Sequence, residues 1–287
     1  MKKTRTTYII FTLGFLLLFV SCSRDYPLHE KDIRFPLYVG NWWCYERVLT
    51  FEGVDLPWIE DTLRFFSHWK IMNRDIIGSQ KYEAYLLKSE EYPKGGRRGT
   101  SLEWYTEKWE GEDGLFDIAY SGCSGGLPPK SLRSYKIRFM DKEFDSPDGV
   151  FDYVRGMGYA KGDTFIIDTA VIYIIDTTIR IPPRKVLVYP LWVGKDWVAF
   201  KDVWLQKRKV VGIETITTPA GTFPCYKIQV YGDIWDEDAV WYDWFSNEGL
   251  IKRYFWFRGE AVDENGNPIG IVESTDIQLL ESYSVKY

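Results

Sequence analysis

The sequence predicts an all-β protein: a curved antiparallel sheet, half-barrel or sandwich-like, in two weakly related halves. Three observations predict it. Tyr189 to Lys252 holds three apolar, β-favouring runs, punctuated by Gly194, by Pro219-Ala220-Gly221 and by Gly249, as an antiparallel meander would be. An echo of its opening, YPLWVGKDWVAF from Tyr189, stands near the front as FPLYVGNWWCY from Phe35, with Trp43 matching Trp197. Aromatic residues make up 17% of the chain, which suits pleated surfaces, and no amphipathic helix of normal length is visible.

Taken in order, the chain opens on Lys2, Lys3 and Arg5, followed by an apolar run from Tyr8 to Val20 and then Ser21-Cys22. The run is short of the roughly 20 residues a membrane span needs and fits the hydrophobic core of a secretory signal. Residues 1–21 therefore read as a signal peptide, and 22–34 as a polar tether of mixed charge. A single domain is expected over 35–287, with halves at about 35–150 and 185–287.

Phe35 to Phe51 is expected as a strand pair or one bent strand, broken by Asp55-Leu56-Pro57. Thr62 to Arg74 and Lys81 to Lys88 alternate about a turn at Gly78-Ser79, as a half-buried hairpin does. Leu102 to Glu110 and Ser134 to Met140 read as strands, and Tyr120 to Lys130 as a loop. Thr164 to Ile181 is the most β-prone segment and is expected to form central strands ended by Pro182-Pro183. After the second repeat, Asn265-Gly266 predicts a hairpin turn and Thr275 to Val285 a last strand.

Composition excludes some partners. The formal charge is −5, and loss of residues 1–21, with three basic residues and no acid, takes it to −8. Nucleic acid needs a clustered basic surface, and the one basic cluster, Arg97-Arg98 between glycines, reads as a loop tip. With Cys22 set apart, Cys44, Cys123 and Cys225 remain, an odd number for an oxidising compartment. Buried thiols are the better reading than a Cys44–Cys225 bridge.

Two resemblances follow. Leu18 to Cys22 resembles the bacterial lipobox, which implies lipidation at Cys22, a membrane anchor and, from Ser23, the outer membrane. Pro36 to Trp43, Pro190 to Trp197, Pro219 to Phe223 and Gly249 to Lys252 are similar to motifs of uncharacterised bacterial envelope proteins. That likeness implies sheets akin to the open half barrels of periplasmic lipoprotein and lipid carriers.

The chemistry-bearing patterns are weak. Gly122-Cys123-Ser124-Gly125-Gly126 matches a hydrolase nucleophile motif, but the only histidines, His29 and His68, precede it, and Pro128-Pro129 opposes the helix it needs. No metal-ligand spacing stands out: Asp233 with Asp236 to Asp238 and the Asp263 loop read as solvated turns. No metal or cofactor is expected. The remaining feature is aromatic. Trp235, Trp241, Trp244, Tyr254 and Trp256 cluster within a few strands, and alternation places Tyr254 and Trp256 opposite Phe255 and Phe257. Core packing is the plainer explanation; a binding surface is the functional one. The expectation is a non-enzymatic, lipid-anchored envelope protein that binds a hydrophobic small molecule or an envelope protein on this sheet. A carbohydrate-binding lipoprotein is the alternative and a hydrolase a distant one.

Overall fold

A computed structural model describes residues 33–78, 81–93, 99–123, 135–140, 142–145, 149–151, 178–201, 205–233 and 238–287. The chain is all-β. Among the described residues fourteen strands form one antiparallel sheet. They are β1 (Trp42–Gly53), β2 (Glu60–Ile77), β3 (Tyr82–Pro93), β4 (Gly99–Trp109), β5 (Glu112–Cys123), β6 (Lys136–Phe139) and β7 (Lys142–Phe144). After them come β8 (Thr178–Val188), β9 (Asp196–Phe200), β10 (Gln206–Thr218), β11 (Gly221–Gly232), β12 (Ala239–Ser246), β13 (Gly249–Val262) and β14 (Pro268–Ser284).

The order round the sheet is β8-β5-β4-β3-β2-β1-β14-β13-β12-β11-β10-β9, with β6 and β7 attached beside β13. The two end strands approach each other, so the sheet curls into a nearly closed barrel. No ladder joins β8 to β9. The seam is held by side chains instead: the Trp197 indole N–H donates to the Lys185 carbonyl at 2.9 Å, and the Arg180 guanidinium lies 4.8 Å over the Phe200 ring.

Strict alternation makes the strands two-faced. On β1 the residues Trp43, Tyr45, Arg47, Leu49 and Phe51 are buried, while their neighbours are half-exposed. At the β13–β14 hairpin the Asp263 carboxylate accepts from the backbone N–H of Asn265 and Asn267, both at 2.8 Å, and Gly266 takes a φ of 80°. That carboxylate therefore closes a turn, as a short acidic side chain commonly does.

The echo in the sequence is an echo in structure. Gly40 N–H donates to Ile71 O and Ile71 N–H to Asn41 O, each at 2.9 Å; Gly194 N–H donates to Val210 O and Val210 N–H to Lys195 O, each at 2.8 Å. The Asn41 side chain donates to Pro36 O and the Lys195 ammonium to Pro190 O, both at 2.8 Å. A bulge follows in each copy, after Ile71 and after Val210. β1 and β9 stand six places apart in an antiparallel sheet, so they run in the same direction and both turns sit at one end of the barrel. There the copies meet: Phe35 N–H donates to the Tyr189 hydroxyl at 2.8 Å, and Phe35, Leu37 and Leu191 are buried in an apolar plug. At the other end a second apolar cluster gathers Leu49, Phe65, Ile137, Phe151, Phe255 and Phe257.

Several expectations are corrected. The first motif is a turn ahead of β1, because its backbone bonds are spent on the turn rather than on a ladder. Likewise the second repeat contributes only the five-residue β9. Pro182-Pro183 does not end a strand: β8 runs through it as an end strand, and its ladder with β5 skips from Ile179 to Arg184, so the missing N–H groups cost no bond. β5 was not foreseen; its acidic start and Gly114 hide the alternation. The cysteines agree with the expectation of thiols rather than a bridge: Cys44 on β1 is half-buried, Cys225 on β11 is buried, and the two strands are not neighbours. Residues 164–177 lie outside the described residues.

Candidate binding site in the barrel interior

Between the two apolar ends, the inward positions of the strands carry charge. β1 presents Arg47, β3 Glu91, β4 Glu103 and Tyr105, β5 Asp117, β8 Arg180 and Arg184. From the second half come Arg208 on β10, Asp243 on β12, Arg253 on β13 and Asp276 on β14. Each is set by the same period of two that buries its apolar neighbours: Asp243 sits between Trp241 and Phe245, and Arg253 shares a face with Phe255. A buried charge is costly unless paired and hydrogen-bonded, and these are paired.

Arg47 grips Asp276 through Nε and a terminal nitrogen, each at 2.7 Å, and reaches Glu91 at 2.9 Å. Asp243, fully buried, accepts from Arg253 Nε at 2.7 Å, from Arg208 at 3.3 Å and from the Trp241 indole at 2.8 Å. Asp117 accepts from Arg184 at 2.8 Å, with Arg180 at 3.5 Å. The Tyr105 hydroxyl donates to Glu103.

The electrostatics follow from burial and partner. Burial pushes the Asp243 carboxyl up, but Arg253 and Arg208 outweigh it and hold the group below its usual range. Burial brings Arg208 down to about 10 despite Asp243. For Glu103 burial and the nearby Asp117 win, and the carboxyl is raised toward its protonated form. Burial likewise raises the Tyr105 hydroxyl well above its ordinary value. Arg253 and the Tyr105–Glu103 pair act on each other although they belong to different halves, so they face across the lumen.

The belt is not completely covered. The Arg253 side chain is 15% exposed and Glu91 32%, and Trp69, Tyr85 and Tyr105 on inward positions are half-buried. The belt can therefore offer guanidinium and phenol donors to a polar or anionic group, with apolar surface at either end.

The residues singled out in the sequence divide between two faces. Trp241 lies inside, 5.1 Å from the Arg253 guanidinium and donating to Asp243. Trp244 lies on the opposite face and is buried there under Lys227 and Lys252, its indole donating to Glu214 at 2.7 Å. Tyr254 and Trp256 share that outer face and are half-buried. Trp235 lies outside the described residues, as does Ser124 of the hydrolase-like motif. His68 stacks on Trp42 at 5.7 Å, away from the lumen. No cluster of metal-ligand side chains occurs among the described residues, and no helix among them is long and apolar enough to cross a membrane. The belt itself was missed, although charged residues in phase with buried aromatics, such as Arg47 after Trp43 and Tyr45, were a signal for it.

Residues 196–266 match the family model described as DUF3108-like. Two crystal structures resemble the fold. One, provisionally named a lipoprotein, is from Parabacteroides distasonis, with 16% identity over 88% of this chain and 100% of that one, at a TM-score of 0.29. The other, from Bacteroides fragilis, is provisionally named an exported protein with a YmcC-like fold, with 13% identity over 88% of this chain and 99% of that one, at a TM-score of 0.33. No functionally curated protein matches the chain.

Proposed function

We propose that this chain is a lipid-anchored protein of the bacterial envelope, at the outer membrane, and that its barrel binds a hydrophobic molecule with a polar or anionic head. The head would meet Arg253, Tyr105 and their partners, and the apolar part would lie against the plug or the second cluster. The observation that carries this reading is the inward belt of five arginines lying between two apolar ends. Anchoring rests on the apolar run ending at Cys22, since a multiply acylated cysteine holds a protein on a bilayer durably. The reading is non-enzymatic because the belt's guanidinium and carboxylate groups, among the described residues, are paired with one another.

Native mass spectrometry of protein purified gently from cells tests it. The expected result is a lipid-sized adduct that is lost on organic extraction and regained from a lipid extract. Arg253→Met should retain less of it than Arg253→Lys. An adduct-free mass, unchanged after incubation with lipid extract, sinks the ligand-binding reading.

A further inference from the structure

We propose that the head group this barrel takes is an acid anion, a carboxylate or a phosphate, seated beside Arg253 and read by Tyr45 and Gln278. The proposal rests on the ligand-binding reading above and adds to it the class of head and the residues that recognise it.

A space inside the barrel borders this place. Glu103, Tyr105 and Arg253 lie deep within the protein yet keep accessible surface, so the surface they keep faces inward. Adjacent strands leave room for it with small inward residues, Ser67 on β2, Ser89 on β3 and Ser101 on β4. The Ser67 and Ser89 hydroxyls touch at 3.3 Å, and Ser89 stands opposite Ser101 in the ladder. The half-buried rings of Trp69, Tyr85 and Tyr105 lie on the same strands and give the apolar part of a ligand a wall to lie against.

The polar groups at the border call for acceptors. Gln278 is buried and stands opposite Arg47 on one side and Arg253 on the other. Its Nε2 has no hydrogen-bond partner among the described residues, and a guanidinium cannot supply one because it carries donors only. The Tyr45 hydroxyl is likewise buried without a partner, near Arg253 and Asp243, which both act on it. A buried donor left unpaired is costly. Arg253 stays charged because Asp243 favours its cationic form, and its side chain is the least covered of the belt arginines.

Together these groups offer hydrogens from an amide, a phenol and a guanidinium, a set that an acid anion satisfies through its several oxygens. A sugar hydroxyl would satisfy fewer of them, and an ammonium group, itself a donor and a cation, would be repelled. The carboxylates nearest this space are already engaged. Glu91 pairs with Arg47 at 2.9 Å, and Glu103 accepts from the Tyr105 hydroxyl.

The test sets one decyl tail on different heads: decanoate, decyl phosphate, decyl maltoside and decylamine. Each is titrated into the full chain stripped of bound lipid, and affinity is read by native mass spectrometry. The anions should bind at least about tenfold more tightly than the maltoside or the amine, as expected where hydrogen bonds to a charged group are gained. Preference between the anions assigns the head as carboxylate or phosphate. Arg253→Met removes an ion-pair partner of the buried Asp243 and can unfold the barrel. The deciding variants are therefore Tyr45→Phe and Gln278→Met, which remove donors that bond to nothing among the described residues. Each should lower the anion-to-maltoside affinity ratio without lowering the melt of the ligand-free protein. Equal binding of all the heads keeps the ligand-binding barrel and overturns the anionic head. An unchanged ratio in both variants, whatever the melt, overturns Tyr45 and Gln278 as the residues that read it. If no head binds, the ligand-binding reading falls and this proposal with it.

Discussion

Asp243 is the residue on which the interior charge depends most directly. It has no exposed surface and accepts from two guanidinium groups and an indole. Asp243→Asn keeps the shape but leaves Arg208 and Arg253 facing each other without a countercharge. Breaking a buried pair in this way costs about 3–5 kcal/mol, and urea denaturation should show a loss of that size; a loss within experimental error would mean that water reaches the pair. Glu103 should behave in the opposite sense. Its folded pKa is raised by burial and by Asp117, so folding favours the protonated acid. Its contribution is fully present below the unfolded value of about 4.3 and is lost as pH rises through the folded value. Glu103→Gln, which still accepts from Tyr105, should therefore gain thermal stability over the wild type progressively as pH rises above about 4.3. Parallel pH profiles for the two proteins would show that Glu103 is solvated. For Asp243 the lowered pKa gives the mirror image, stability present above about 3.9 and lost as pH falls through the lower folded value.

At the scale of the elements, close backbone approach decides which glycines matter. A Cβ on Gly114 would stand 2.3 Å from the Leu187 carbonyl oxygen, across the β5–β8 ladder, whereas one on Gly212 would meet nothing within 4 Å. Gly114→Ala should cost about 1–3 kcal/mol, as overpacking does, and should speed amide exchange in β8. Gly212→Ala should be neutral or stabilising by up to about 1 kcal/mol through the unfolded chain. Equal effects in thermal melts would contradict the tight β5–β8 contact. Much of this level was legible in advance. The alternation in β2, β3 and β4, the Asn265-Gly266 turn and the repeated aromatic-Pro-Leu motif each depend on neighbours in sequence. What was hidden depends on partners far away. β5 becomes a strand because β4 and β8 flank it, and β8 tolerates Pro182-Pro183 because its ladder skips that stretch. The aromatic residues named as one candidate binding set divide between the two faces, Trp241 inside and Trp244 outside; the bulge after Trp244 lies beyond both and does not change that.

For the molecule as a whole, the interior belt and the open seam are two sides of one energetic problem. Five guanidinium groups inside the barrel are paired with carboxylates, but the Glu103 carboxyl is raised by burial and by Asp117, and Arg253 remains partly uncovered. The proposed ligand, through an anionic head, would pair with the uncovered part of Arg253. Binding of this kind stabilises the folded state alone, by RT ln(1 + [L]/Kd), about 2.7 kcal/mol at a hundredfold excess over Kd. Protein stripped of lipid should accordingly melt lower than protein as purified, and adding back the extracted lipid should restore the melt in proportion to the logarithm of its concentration. The seam adds a second readout. β8 and β9 are joined by an indole bond and a stacked guanidinium in place of a ladder, so their amides should exchange faster than those of the laddered β1–β14 contact and slow selectively when the barrel is filled. A melt indifferent to lipid, together with unchanged exchange at β8 and β9, would mean that the belt serves only to pair charge and that the barrel is a closed scaffold.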